Sequence, residues 1–336
     1  MRKMKENNRI IYLDTARVLS MLWIVAALHL MSSVEGQPVF TSKNSNCITV
    51  SALATFTFLS GFFLSSKVKN KNDVIPFYLR RLQRFYPLYF ISCVSMLFAR
   101  IISGNEAMMS IRQLILSLLG LATVVGPSPI TLWYFSMLIL FYLMTPFISL
   151  SDKHISNIIW LIAPLSLFAF SALVLNGDIR MIIYYPIYYI SIVIGKSYKD
   201  EIIEAKVDKK YLLVDILLLC ISILVYNSVD NKIYSILSQL TISLFSVPLV
   251  LYISKKISNR FICSIISVLS YSSLCVYLFH SQIYWVLEVL VGKFSWGFAY
   301  GVAVPSVLII GWVIQKVYDR TIETIKKNRF KPFHNR

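Results

Sequence analysis

Apolar residues lie along this chain in long uninterrupted blocks, and the charged residues concentrate in the short segments between them. A helix needs about 20 apolar residues to cross a bilayer, whereas shorter runs more often re-enter or lie at the interface. Since backbone groups in lipid must bond within their own structure, blocks of this length favour helices over barrel strands. The pattern predicts an all-α integral membrane protein of about ten transmembrane helices, near 10–30, 48–66, 85–102, 131–149, 157–175, 181–195, 211–227, 233–253, 265–288 and 298–315.

One further apolar run, 114–125, has twelve uncharged residues, and the positive charges indicate whether it crosses. If it does not cross and the N-terminus lies inside, the cytoplasmic segments carry 26 Lys and Arg and the outer segments carry 5. A crossing at this run would change these numbers to 13 and 18. Because cytoplasmic loops collect Lys and Arg, we expect both termini to be cytoplasmic and 114–125 to be a short re-entrant or interfacial segment.

The composition agrees with a membrane protein that has little else attached. Of the 336 residues, 57% are hydrophobic and 15% are charged, whereas a soluble domain is about a quarter charged. The net charge of +17 follows the topology and gives no support to nucleic-acid binding. The five cysteines show no metal-binding spacing, so no metal site is predicted. We expect a single transmembrane domain, 1–318, and a short basic cytoplasmic tail, 319–336.

Three ionisable residues lie within the first apolar block, where such groups are rare and often functional. Asp14 and Arg17 are three residues apart and can pair along one helix face. His29 follows twelve residues after Arg17, about 18 Å further along a helix. Arg17 could be an anchor that reaches the headgroups and is neutralised by Asp14, and His29 could mark the outer headgroup boundary. The alternative is that these side chains serve a site between the helices.

A second histidine and a pair of arginines add to the candidates. His280 lies in the outer half of the ninth block, whose helix runs in the same direction as the first. A neutral imidazole can accept a proton and return it, and Glu35 on the outer side could assist a histidine. Arg81 and Arg84 share one helix face before the third block, and guanidinium groups bind phosphate in a forked geometry. The two arginines could equally be topology signals that contact anionic lipid.

Five short blocks of the sequence, spread over about residues 11 to 285, form a recognisable series. They read YLDTARVLSMLWIVAALH, FTFLSGFFLS, FYLRRLQRFYPLYF, LWYFSMLILFYLMTP and SYSSLCVYLFH. The first resembles an LDxxR…H helix, the second an FFxLSGFxL block and the third an arginine-rich block that ends in proline. Each block alone is a weak signal. Together and in this order, they resemble the acyltransferase 3 family of bacterial membrane acyltransferases.

The resemblance implies a function and residue roles. Family members transfer an acyl group, usually acetyl, from cytoplasmic acyl-coenzyme A to a hydroxyl of a cell-surface or lipid-linked glycan. By matching position, His29 would be the catalytic general base, although an acyl-histidine intermediate stays open. The residues implied to bind the coenzyme are Arg17, Arg81 and Arg84. The candidate supporting residues are Asp14, His280 and Glu35.

The resemblance also implies a location and partners. The protein would lie in the bacterial cytoplasmic membrane as a multi-pass protein. Acetyl-coenzyme A would be its acyl-donor substrate, and no cofactor would be bound permanently. Its partners would be acyl-coenzyme A, an exported or lipid-linked glycan and membrane lipid.

The spacing within the first helix departs from the family pattern. The family usually has ten residues between the basic residue and the histidine, and this chain has eleven. Twelve steps of about 100° each leave Arg17 and His29 about 120° apart on an α-helix. Either the helix contains a π-bulge, which is common at functional sites, or Arg17 faces elsewhere and its role weakens.

Buried Arg, Asp and His also serve transport, so an exporter or flippase of a glycan or small molecule is the alternative function. Many transporters show two-fold symmetry in their hydropathy, and none is apparent between the halves of this sequence. Transport needs no thioester, so binding or release of coenzyme A would separate the two functions. The sequence leaves open the acyl group, the glycan hydroxyl and the oligomeric state.

Overall fold

The computed structural model describes residues 10–36, 42–103, 110–126, 129, 131–151, 154–198 and 209–329. Within these residues the regular structure is helical, with one isolated β-bridge between Val34 and Phe294. The longer helices, numbered in chain order, are α1 (Ile11–Leu22), α2 (Lys43–Leu64), α3 (Val74–Ser103), α4 (Ile111–Leu118), α5 (Trp133–Ser149), α6 (His154–Val174), α7 (Arg180–Ser197), α8 (Lys209–Ser228), α9 (Lys232–Lys256), α10 (Arg260–Val291) and α11 (Val304–Arg329).

Two of these helices adjoin helical segments of different pitch, α1 at its C-terminal end and α11 at its N-terminal end. α1 is followed without a break by the π-helix Trp23–His29 and the 3₁₀ turn Leu30–Ser33. A three-residue helical turn, Trp296–Phe298, and a second π-helix, Ala299–Ala303, lead into α11.

The helices agree with the hydrophobic pattern of the sequence. Each of the ten predicted spans overlaps one of the helices named above, and of those helices α4 lies outside the ten spans. Within the part of the chain that the structure describes, seven segments are long and apolar enough to cross a membrane: Ile11–Ser33, Lys43–Leu64, Ile155–Val174, Tyr211–Ser228, Lys232–Lys256, Arg260–Val291 and Trp296–Ile325. The protein is therefore an all-α membrane protein, whereas the number of crossings and the side of each terminus stay predictions.

The run 114–125 does not form a spanning helix. α4 has eight residues, far fewer than the about 20 that cross a bilayer. It begins with a capping box, in which Ser110 Oγ accepts from the Gln113 N–H and Gln113 Oε1 accepts from the Ser110 N–H. The Tyr86 hydroxyl of α3 donates to the Leu118 carbonyl over 2.6 Å. This short docked helix is what we expect of a re-entrant or interfacial segment.

Asparagines cap the starts of α9 and α10, and a glycine follows the end of α10. Asn231 Oδ1 accepts from the Ile233 N–H at the start of α9, and Asn259 Oδ1 accepts from the Phe261 N–H at the start of α10. These caps satisfy N–H groups that have no partner within the helix. α10 ends before Gly292, whose φ of +78° favours glycine.

Glycines allow two helix pairs to approach closely. A Cβ on Gly61 of α2 would lie 1.9 Å from Ser191 Oγ and 2.8 Å from the Tyr188 carbonyl oxygen of α7. A Cβ on Gly311 of α11 would lie 2.6 Å from Val276 Cγ2 of α10. Small residues at such positions let membrane helices pack backbone against backbone.

The last helix passes the predicted end of the transmembrane domain. α11 runs from Val304 to Arg329 without a break, so the segment predicted as a tail, 319–336, begins inside a helix. Residues 330–336 lie outside the described part of the chain. The domain boundary at 318 stays a prediction.

Candidate active site

The π-helix in the first span changes which residues share a face. It covers Trp23–His29 and lies between Arg17 and His29. A π-turn takes up one residue more than an α-turn, so twelve steps rotate the chain about as far as eleven α-helical steps would. Arg17 and His29 then differ by about 20°. Of the two alternatives left by the spacing, the structure has the π-helix.

Both side chains accordingly contact the same neighbouring helix, α10. Arg17 Nη1 donates to Ser270 Oγ over 3.4 Å, and His29 Nδ1 lies 2.6 Å from His280 Nε2. Ser270 and His280 belong to one helix. The structure therefore brings Arg17, His29 and His280 to the interface between the first span, Ile11–Ser33, and α10.

The two histidines are joined edge to edge. Their ring planes differ by 4° and the ring centroids lie 4.8 Å apart. Stacked ring faces stay about 3.5 Å apart, so nitrogens at 2.6 Å place the rings side by side in nearly one plane. His280 has no exposed surface, whereas His29 is half-buried. This is a well-aligned hydrogen bond between two imidazoles.

Further groups on α10 contact both nitrogens of His280. His280 Nδ1 lies 2.7 Å from the Tyr277 carbonyl oxygen, and Ser281 Oγ lies 3.1 Å from His280 Nε2. The rings of Tyr277 and Tyr284 meet the His280 ring edge-on, at centroid distances of 5.7 and 6.2 Å. The imidazole is thus fixed in position by one carbonyl, one hydroxyl, His29 and aromatic walls.

The Arg17 end of the interface carries charge. Ser270 Oγ–H donates to Asp14 Oδ1 over 2.6 Å, and Arg17 Nη1 lies 3.6 Å from the same oxygen. Arg17 also lies over the Phe63 ring, 5.4 Å from its centroid. The carboxylate is almost fully buried, while 27% of the Arg17 side chain is exposed. Asp14 therefore accompanies Arg17 as predicted, and Ser270 joins them.

The structure separates the two arginines of α3. Arg81 is half-buried, with its guanidinium 5.9 Å from the Phe77 ring centroid and 6.0 Å from that of Tyr142. It precedes the predicted span 85–102, and burial lowers the pKa of its guanidinium. No carboxylate of the described residues pairs with it. Arg84 is exposed, so the shared helix face does not bring both arginines into the bundle.

Glu35 does not join the histidines. It is exposed, and its backbone N–H donates to the Phe294 carbonyl over 3.0 Å. Its neighbourhood contains another carboxylate, Glu288, which pairs with Lys293 and accepts from Ser33 Oγ over 3.0 Å. Neither carboxylate bonds to an imidazole in the described structure.

Sequence reasoning missed Ser270 and Ser281. Both are serines in an apolar helix, a residue type that usually bonds to its own helix backbone. The sequence marks them only by their positions relative to His280, because Ser281 follows it directly and Ser270 precedes it by ten residues.

No group of three or more His, Cys, Asp or Glu among the described residues could hold a metal ion.

The fold and this interface define a class of protein: a multi-pass membrane protein with an imidazole pair and buried charges between its helices. The family model described as an acyltransferase domain, that of the acyltransferase 3 family, matches residues 10–316. The chain belongs to this family. No curated protein and no solved structure matches it. The protein is therefore a membrane acyltransferase by family, and the match covers every helix that builds the site.

Proposed function

We propose that the protein transfers an acyl group, with acetyl as the first choice, from acyl-coenzyme A to a glycan hydroxyl. The acceptor is a cell-surface or lipid-linked glycan, and the protein works in the bacterial cytoplasmic membrane. The coenzyme arrives from the cytoplasmic side, where Arg17 and Arg81 are predicted to lie. The glycan reaches His29 from the outer side.

One observation carries this proposal: Arg17 and His29 contact α10 at two points along a single interface. Their positions are twelve residues apart, about 18 Å along a helix. That distance is similar to the length of an extended pantetheine arm. A donor whose phosphates lie near Arg17 would thus present its thioester near His29.

Arg81 suits the binding of phosphate. The Arg81 residue is half-buried, its guanidinium lies near two aromatic rings, and it has no carboxylate partner among the described residues. Partial removal of a charge from water without a counter-ion costs free energy, so the binding of an incoming phosphate there would be favourable. Guanidinium groups make forked, charge-assisted hydrogen bonds to phosphate oxygens. Arg84 is exposed, so we expect it to contribute less to phosphate binding than Arg81 does.

The reaction needs a base for the acceptor hydroxyl. His29 takes the hydroxyl proton while the oxygen attacks the thioester carbonyl carbon. The tetrahedral intermediate collapses by breaking the carbon–sulfur bond, and coenzyme A leaves as a thiolate. The imidazolium of His29 then returns the proton to the sulfur. The products are the acylated glycan and free coenzyme A.

The test is transfer of label from radiolabelled acetyl-coenzyme A to glycan in membranes that contain the protein. We expect label in the glycan fraction and stoichiometric release of free coenzyme A, and neither in membranes that lack the protein. Succinyl-coenzyme A in a parallel reaction identifies the acyl group. Glycan movement without coenzyme A release, under both donors and with native acceptor present, would overturn the proposal in favour of an exporter or flippase.

A further inference from the structure

We propose that His29 and His280 form a dyad fixed in one tautomer, with both protons on Nδ1 and His29 Nε2 left as the free base. In this dyad His280 is a positioning residue that acts through His29. The catalytic role of this dyad rests on the proposed acyl transfer, whereas the positions of its two protons follow from the hydrogen bonds alone.

The first proton is placed by the Tyr277 carbonyl. A carbonyl oxygen can only accept, so His280 Nδ1, 2.7 Å away, must carry the proton that it donates. A neutral imidazole has one protonated nitrogen and one acceptor nitrogen. His280 Nε2 is therefore an acceptor.

The second proton follows from the first. His29 Nδ1 lies 2.6 Å from the acceptor His280 Nε2, and two lone pairs would repel at that distance, so His29 Nδ1 is the donor. Its own Nε2 is then unprotonated and has no hydrogen-bond partner among the described residues. The Ser281 hydroxyl lies 3.1 Å from the same His280 nitrogen, but the single lone pair of that nitrogen is taken by the closer donor, His29 Nδ1.

The surroundings keep the resting dyad neutral. His280 is fully buried, and Tyr277 and Tyr284 flank its ring. Burying a charge without a counter-ion is costly, and no described carboxylate bonds to either ring. This differs from a histidine oriented by an aspartate, because here a second imidazole and a backbone carbonyl do the orienting.

The dyad gives the transferred proton two places to reside. When His29 Nε2 receives the hydroxyl proton, its Nδ1 proton can move to His280 Nε2 across the 2.6 Å bond. His280 is then the cation, bonded to the Tyr277 carbonyl, and because its ring is fully buried this state is short-lived and higher in free energy than the imidazolium of His29. The reverse shift restores the imidazolium of His29, whose Nε2 proton goes to the departing thiolate. No proton or electron pair is gained or lost by the enzyme over the cycle.

Nitrogen NMR of isotope-labelled histidine tests the tautomer directly. The chain has 4 histidines, so a His154→Gln, His334→Gln double variant retains label at positions 29 and 280 alone. We expect two protonated Nδ1 signals and two unprotonated Nε2 signals, with a coupling across the bond between the rings. A protonated Nε2 on either ring, or an imidazolium in the resting protein, would overturn the proposal. This readout does not depend on acyl transfer, so it stands apart from the proposed function.

Two substitutions at His280 test its action through His29. In His280→Gln, the side-chain oxygen of the new glutamine can still accept from His29 Nδ1, whereas His280→Leu removes the acceptor. We expect His280→Leu to lower kcat by about 10- to 100-fold, with an unchanged KM for acyl-coenzyme A and partial rescue in His280→Gln. In a His29→Ala background, His280→Leu should add no further loss. A further loss of kcat from His280→Leu in the His29→Ala background would show a merely structural role. So would an equal loss of kcat in His280→Leu and His280→Gln.

Discussion

The two ends of the first apolar span, Ile11–Ser33, are built in different ways. At the His29 end, two imidazoles share a 2.6 Å hydrogen bond and one of them has no exposed surface. At the Arg17 end, the guanidinium of a side chain that is 27% exposed lies 3.6 Å from the Asp14 carboxylate. The first arrangement fixes atoms for a reaction, and the second presents charge that water and a ligand can reach. We therefore expect changes at the first end to alter kcat and changes at the second to alter KM.

The largest effect is expected at the imidazole end. His29→Ala removes the general base, so kcat should fall roughly 100- to 10,000-fold, with little change in the KM for acyl-coenzyme A. Steady-state kinetics on protein purified in detergent measure both. His154→Ala, at the start of α6, is the matched histidine control and should keep wild-type turnover. A rise in KM with kcat preserved would assign His29 to binding and remove the contrast between the ends.

The next effect should fall on the donor site. Arg81→Ala should raise the KM for acyl-coenzyme A about 10- to 100-fold, because a charge-assisted bond to phosphate is lost. Arg81→Lys should restore this only in part, since lysine lacks the forked geometry. Arg84→Ala is the control three residues away on the exposed surface and should change KM less. Equal effects of the two alanine variants would contradict the assignment of Arg81.

A smaller effect should follow from Ser270→Ala. The substitution removes the hydrogen bonds that Ser270 makes with Asp14 and Arg17, and each such bond is worth about 1 kcal/mol. Neither bond is made to the coenzyme, so only part of this free energy affects binding, through the position of Arg17, and we expect the KM for acyl-coenzyme A to rise by about tenfold or less, with kcat retained. Ser273→Ala is the matched control, because Ser273 bonds to a carbonyl of its own helix. A loss in kcat alone would place Ser270 in the chemical step.

The smallest effect on catalysis is expected away from both ends. Gly61→Ala forces a Cβ against Ser191 and the Tyr188 carbonyl, and overpacking costs about 1–3 kcal/mol of stability. Thermal unfolding in detergent should begin at a lower temperature, while kcat and KM of the folded fraction stay near wild type. Gly301→Ala, with nothing within 4 Å of its Cβ, should leave stability nearly unchanged. Equal melting of both variants would argue against close packing of α2 on α7.

The helices of this fold could be read from the sequence, because a bilayer imposes a minimum length on apolar blocks. Each of the ten predicted spans overlaps a helix, and the twelve-residue run 114–125 contains part of the eight-residue α4. The side of the membrane on which each loop lies is a separate prediction. It rests on the distribution of positive charge between the loops, and the positions of the helices do not test it.

The site could be predicted in part. His29, His280 and Arg17 stood out because ionisable groups are costly among apolar residues, and the structure brings all three to one interface. The sequence left two alternatives for the angle between Arg17 and His29. One extra residue between them can be accommodated by a π-helix, or it can turn Arg17 to a different helix face from His29. Ser270 carried only its position, ten residues before His280, as a signal. Its partners come from a helix more than 250 residues away in sequence.

The proposed reaction requires that the π-helix Trp23–His29 align Arg17 with His29, and a change in the length of this π-helix examines that alignment. Deleting Ala27 from the π-helix should allow a regular α-helix that keeps both residues about 20° apart. Inserting one alanine after Ala27 should rotate His29 by about 100° from α10. With acyl transfer measured at matched expression, we predict that the deletion variant retains activity within about tenfold of wild type. The insertion variant should be as inactive as His29→Ala. An inactive deletion variant, or an active insertion variant, would show that activity does not depend on this alignment of Arg17 with His29.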